Sequence, residues 1–149
     1  MVEDIFFDNL DLNAYIHLTR LFPMKLEKYK FYCPKCDQEL DIAGQIHLKT
    51  ERENGDKGDM YLNTSFGTYS YKHVPDVVFQ KSELVKFSCP KCLETIHSKA
   101  HPNYALLTMR VENKFDFEIL FSRQAGIHKT YIVTEDGVES YGEHASTGL

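Results

Sequence analysis

The chain has 149 residues, of which 42% are hydrophobic and 26% charged. That length suits a single domain, residues 1–149, that buries a core without disulfides, and the balance excludes whole-chain disorder. No apolar run reaches the roughly 20 residues of a membrane helix, which excludes a transmembrane protein. The start carries Glu3, Asp4, Asp8 and Asp11 before any base. A signal peptide begins basic, so a cytoplasmic protein with no membrane partner is expected. A net charge of −5 argues against a general polyanion binder.

In chain order, Asp11 caps a short helix in which Leu12, Tyr15, Ile16, Thr19 and Phe22 fall at helical spacing, and Pro23 ends it. Residues 28–32 read as a strand, so 1–30 hold the helix and the lead-in strand. Cys33-Pro34-Lys35-Cys36 follows. Residues 37–88 form a β insert. Within it, 45–52 and 60–66 alternate apolar and polar residues around a turn-rich tip at 54–58, the signature of a β-hairpin. Residues 68–74 add a strand that Pro75-Asp76 breaks. Residues 77–79 and 84–88 lead into Cys89-Pro90-Lys91-Cys92. Beyond it, 104–112 pairs with 115–123, and 129–134 pairs with 138–141 around Glu135-Asp136-Gly137. Residues 142–149 lack apolar periodicity and form a flexible tail. The fold class is mainly β, with one N-terminal helix.

The four cysteines make two identical tetrapeptides with none left over. A Cys-x-x-Cys turn lets two sulfurs converge on one point. Two such knuckles supply the four thiolates of a closed tetrahedral zinc site, so Cys33, Cys36, Cys89 and Cys92 are the expected ligands of one structural zinc. A closed shell leaves no open position for catalysis at the metal. Iron in a rubredoxin-like site uses the same ligands, and thiolates alone do not separate the two metals. A thioredoxin-like dithiol needs one Cys-x-x-Cys in a βαβ setting, whereas both copies here sit among strands.

The two motifs open a faint repeat. Phe31-Tyr32 precedes the first as Phe87-Ser88 precedes the second, and aliphatic residues follow each. This pattern resembles the zinc-ribbon superfamily, in which knuckles from two β-hairpins clamp one zinc. The resemblance implies an antiparallel ribbon carrying an inserted hairpin. Knuckles of the rubredoxin-like kind usually carry glycine after the second cysteine, and this chain has Asp37 and Leu93 there.

Charge and aromatic placement bear on partners. Lys25, Lys28, Lys30 and Lys35 cluster before and within the first knuckle, and Lys86 and Lys91 lie before and within the second. They either offset the anionic thiolate centre or grip nucleic-acid phosphates. The acidic insert and C-terminal stretch, with Tyr61, Tyr69 and Tyr71, fit a protein partner instead. His97 and His101, just past the second knuckle, are candidates for a metal or its surroundings. No phosphate loop, His-Glu-x-x-His or Gly-x-Ser-x-Gly motif is present. The expected function is non-enzymatic protein binding, with nucleic-acid binding and iron electron transfer as alternatives.

Overall fold

A computed structural model describes residues 29–65, 68–134 and 136–145. The helix expected before Pro23 lies outside them, as do Lys25 and Lys28. The described residues contain ten strands and no helix. They are β1 (Tyr29–Tyr32), β2 (Asp41–Ile42), β3 (Gln45–Glu51), β4 (Lys57–Asn63), β5 (Tyr71–Val74), β6 (Lys86–Ser88), β7 (Tyr104–Val111), β8 (Phe115–Ser122), β9 (Thr130–Thr134) and β10 (Gly137–Tyr141).

All strands pair antiparallel, in two sheets. The first has the order β1-β7-β8-β9-β10. In the second, β3, β4 and β5 form a meander. β2 and β6 pair with opposite ends of β3, along the edge that β4 leaves open. The mainly β reading therefore holds. The hairpin expected in the insert is β3–β4, with its second strand starting at Lys57 rather than Met60. Residues 77–79 are not a strand. There the chain passes from β5 to β6 of the same sheet, held by Arg52, whose guanidinium grips Glu83 through two hydrogen bonds of 3.0 and 3.1 Å.

The two knuckles belong to two interlocked copies of one plan. Each copy is a lead-in strand, a knuckle and a meander. The lead-in strand of each copy pairs with the meander of the other. Thus β1 lies on β7, with Phe31 opposite Met109, and β6 lies on β3, with Phe87 opposite Thr50. The registers agree throughout the meanders. Thr50 faces Gly58 as Met109 faces Phe117, and Met60 faces His73 as Ile119 faces Ile132. Matched meander positions are 59 residues apart in each case. The knuckles themselves are 56 apart, so the second copy carries three extra residues between knuckle and meander.

Alternation explains the core. Ile46, Leu48 and Thr50 on β3 are buried, as are their counterparts Ala105, Leu107 and Met109 on β7. Period-two burial is what a sheet with one covered face requires. A single apolar cluster joins Ile46, Leu48, Ala105, Leu107 and Met109 to Phe31, Phe87, Leu40 and Ile96, and it includes Cys33 and Cys89. The knuckles therefore sit on the core rather than at a loose end.

Candidate metal centre

Each knuckle is shaped by the same backbone hydrogen bonds. In the first, Cys33 N–H donates to Gln38 O and Asp37 N–H to Cys33 O, at 2.9 and 3.0 Å. In the second, Cys89 N–H donates to Glu94 O and Leu93 N–H to Cys89 O, at 3.1 and 2.9 Å. The strands around them close as hairpins. Leu40 N–H reaches Phe31 O, and Ile96 N–H reaches Phe87 O. Asp37 and Leu93 take φ of 62° and 63°, the left-handed region. Glycine adopts that region without a Cβ penalty, so the turn forms at some backbone cost without it.

The amides of each turn point at its first sulfur. Lys35 and Cys36 N–H approach Cys33 Sγ at 3.3 and 3.4 Å. Lys91 and Cys92 N–H approach Cys89 Sγ at 3.3 and 3.5 Å. Such donors stabilise a thiolate. Cys33 and Cys89 are buried, whereas Cys36 is exposed and Cys92 is intermediate. Burial pushes the Cys33 thiol up to about 12. A bound cation reverses that balance, because it becomes the largest local charge.

All four sulfurs lie within 4.8 Å of one another. The close pairs link one knuckle to the other, Cys33 to Cys92 at 3.8 Å and Cys36 to Cys89 at 3.7 Å. Tetrahedral thiolates at a metal–sulfur distance of about 2.3 Å stand about 3.8 Å apart. The spacing is therefore that of a four-thiolate shell. The four cysteines fit a metal ion, consistent with a zinc-ribbon-like site.

One contact braces the first knuckle from outside. Arg110 on β7 donates to Asp37 Oδ1 at 2.8 Å and to Asp116 at 2.8 Å. Its guanidinium also lies 4.3 Å over the Tyr32 ring. The hydrogen bond from Arg110 holds the Asp37 carboxyl below the usual carboxylate range.

No family model, curated protein or solved structure matches the chain.

The other sequence candidates are spread out. Lys30 and Lys86 hold matched places on the two lead-in strands and meet Glu39 and Glu51 at 3.3 and 3.9 Å. Lys35 and Lys91 hold matched, exposed places in the knuckles. His97 is not part of the cysteine cluster, and its Nε2 accepts a hydrogen bond from Phe87 N–H at 3.2 Å. Burial, with Arg123 and Lys86 nearby, lowers its pKa to about 4. His101 lies edge-on to Tyr104.

The sequence reading missed a second constellation, His128, Glu143 and His144, whose ligand atoms also fall within 4.8 Å. His128 Nδ1 pairs with Glu143 Oε1 at 2.8 Å, and His144 Nδ1 accepts from His128 N–H at 2.9 Å. These nitrogens are already engaged, and the trio fastens residues 143–144 to the chain before β9. Only the return of the chain after β10 brings them together, so no local spacing announces them.

Proposed function

We propose that this is a small zinc-binding protein whose Cys₄ site is structural and which works as a non-enzymatic protein-interaction module. The observation that carries the reading is the convergence of four sulfurs, two from each interlocked copy, at cross-knuckle spacings of 3.7 and 3.8 Å. Four thiolates complete the tetrahedral shell of zinc and leave no place for a substrate. Zinc there cross-links residues 33 and 92, so its binding free energy is largely folding free energy.

The second sheet supports a protein partner. β5 pairs only with β4, so its far side is an edge among the described residues. Tyr71, Val74 and, just beyond, Val78 are 49%, 47% and 89% exposed. An apolar edge strand suits an extended peptide that adds to the sheet and seats alternate side chains. The test is affinity capture from native lysate with the zinc-loaded full chain. A partner held through β5 is retained by the parent and lost with Tyr71→Lys and Val74→Lys, while metal content stays constant. Equal capture by both variants rejects this surface.

Lys35 and Lys91 support a second reading, nucleic-acid binding beside the metal. Binding of that kind falls steeply with salt and is abolished by Lys28→Glu with Lys30→Glu. Affinity that stays flat through a salt titration rejects it.

A further inference from the structure

The two copies of the plan also make two matched cavities, each lined by residues of both sheets. One is walled by Met60, Leu62, Phe87 and Phe121 and closed by residues 122–129, the connection from β8 to β9. The other is walled by Ile119, Phe121, Phe31 and Leu62 and closed by residues 63–65 and 68–70, in the connection from β4 to β5. Each wall residue of the first has its counterpart in the second, 59 positions away, or 56 for Phe31 and Phe87. Tyr69 and His128 are matched as well, and their rings stack at 4.4 Å. The walls agree in chemistry and the connections do not. Where one cavity has the hydroxyls of Thr64, Tyr69 and Ser70, the other has Arg123, His128 and Lys129. Among the described residues no aspartate or glutamate lines either cavity, in a chain with 22 acidic residues against 17 lysines and arginines. Glu143 pairs with His128 from outside, at 2.8 Å.

We propose that the basic cavity binds a small aromatic carboxylate, its ring among Phe79, Phe87 and Phe121 and its carboxylate accepting hydrogen bonds from Arg123 and Lys129. Arg123 is placed for this. Its Nε and Nη1 donate to Val85 O and Pro102 O at 2.8 and 2.7 Å, which fixes the guanidinium and leaves Nη2 for a ligand. Among the described residues neither Arg123 nor Lys129 lies in an ion pair. Burial works against the Arg123 charge, and a bound carboxylate offsets that cost. Size selects the ring. The cavity measures about 120 Å³, and an apolar cavity of about 150 Å³ takes benzene. Phe87 and Phe121 already meet edge to face at 5.3 Å, an arrangement that a third ring extends. The site is also built in advance. Ser82 N–H donates to Ala125 O, Ala125 N–H to Glu83 O and Val85 N–H to Arg123 O, at 2.9, 2.8 and 3.0 Å. Walls tied together in this way need little ordering when a ligand arrives. The hydroxyl-lined cavity supplies an internal comparison, with matched apolar walls and no cation. None of the four cysteines lines the basic cavity, so the inference stands apart from the metal reading.

The experiment is an NMR titration of full-length, metal-loaded protein with benzoate, at constant pH and ionic strength, with benzyl alcohol as the uncharged ring. The expected result is saturable shifts of the backbone amides of residues 123–129, with benzyl alcohol binding there about tenfold more weakly. Arg123→Thr with Lys129→Ser gives the basic cavity the side chains of its counterpart. That pair is expected to bring benzoate down to the affinity of benzyl alcohol, which itself stays unchanged. Lys129→Ser alone serves should the pair fail to fold, and weakens benzoate several-fold with metal content constant. Shifts that never saturate, or none at all, overturn the proposal. So does equal affinity for the two probes, because the cations then take no part. Benzoate shifts centred on residues 63–70, or benzoate affinity that survives Lys129→Ser, overturn it too. None of these readings depends on whether a partner binds β5.

Discussion

Asp37 and Leu93 close the two knuckles in one conformation, at φ of 62° and 63°. Aspartate visits that region more readily than leucine, and the two residues differ in their contacts as well. Asp37 is held by Arg110, whereas Leu93 is 66% exposed.

Glycine at either place relieves the backbone cost, but at position 37 it also removes the ion pair. Leu93→Gly is therefore expected to stabilise the protein by about 1 kcal/mol, a rise in Tm of roughly 2–4 °C for a chain of this size. Asp37→Gly should raise it less or lower it. Thermal unfolding of the two metal-loaded variants checks the ranking. A larger gain from Asp37→Gly would contradict the assigned role of Arg110.

His73 ties β5 to the rest of the second sheet. Its Nδ1 donates to Pro75 O at 2.6 Å, which leaves Nε2 to accept from the Thr50 hydroxyl at 2.7 Å. Gly58 gives the ring its room. A Cβ at position 58 would stand 2.5 Å from His73 Cε1 and 2.7 Å from Val74 O. Gly58→Ala is expected to cost about 1–3 kcal/mol by overpacking. Hydrogen exchange should quicken across β5 first. An unchanged Tm and unchanged β5 protection would contradict this packing.

His97 makes stability depend on pH on the acid side. Its ordinary pKa of 6.5 falls to about 4 in the folded protein through burial, with Arg123 and Lys86 adding to the effect. Between these values the unfolded chain holds the extra proton. Stability is therefore full above about 6.5 and declines as pH falls toward 4, by at most on the order of 3 kcal/mol. His97→Gln keeps an acceptor for Phe87 N–H and should flatten that part of the profile. An NMR titration in which the His97 ring protonates near 6.5 would contradict the account.

The sequence makes the knuckles legible because metal ligation demands one residue type at fixed spacing. It also makes most strands legible, because Ile46, Leu48 and Met60 alternate with polar neighbours. The duplication of the meanders is hidden. Core-facing positions keep burial but not chemistry, as where His73 matches Ile132, and on the outer face burial differs too, since exposed Lys72 matches buried Tyr131. The three extra residues after the second knuckle also break any fixed period. The exchange of lead-in strands depends on pairings such as Phe31 with Met109. No local pattern encodes so distant a partner.

The central claim is one zinc held by four thiolates that join the two interlocked copies. Its most direct test is the metal content of untagged protein, with a visible spectrum and chelator treatment on the same sample. The account predicts one zinc per chain, no colour, and loss of folded structure as the chelator removes it, with Cys89→Ser failing to retain metal. Protein that carries no metal and stays folded, or that keeps iron and its red colour through a metal-swap control, would contradict it.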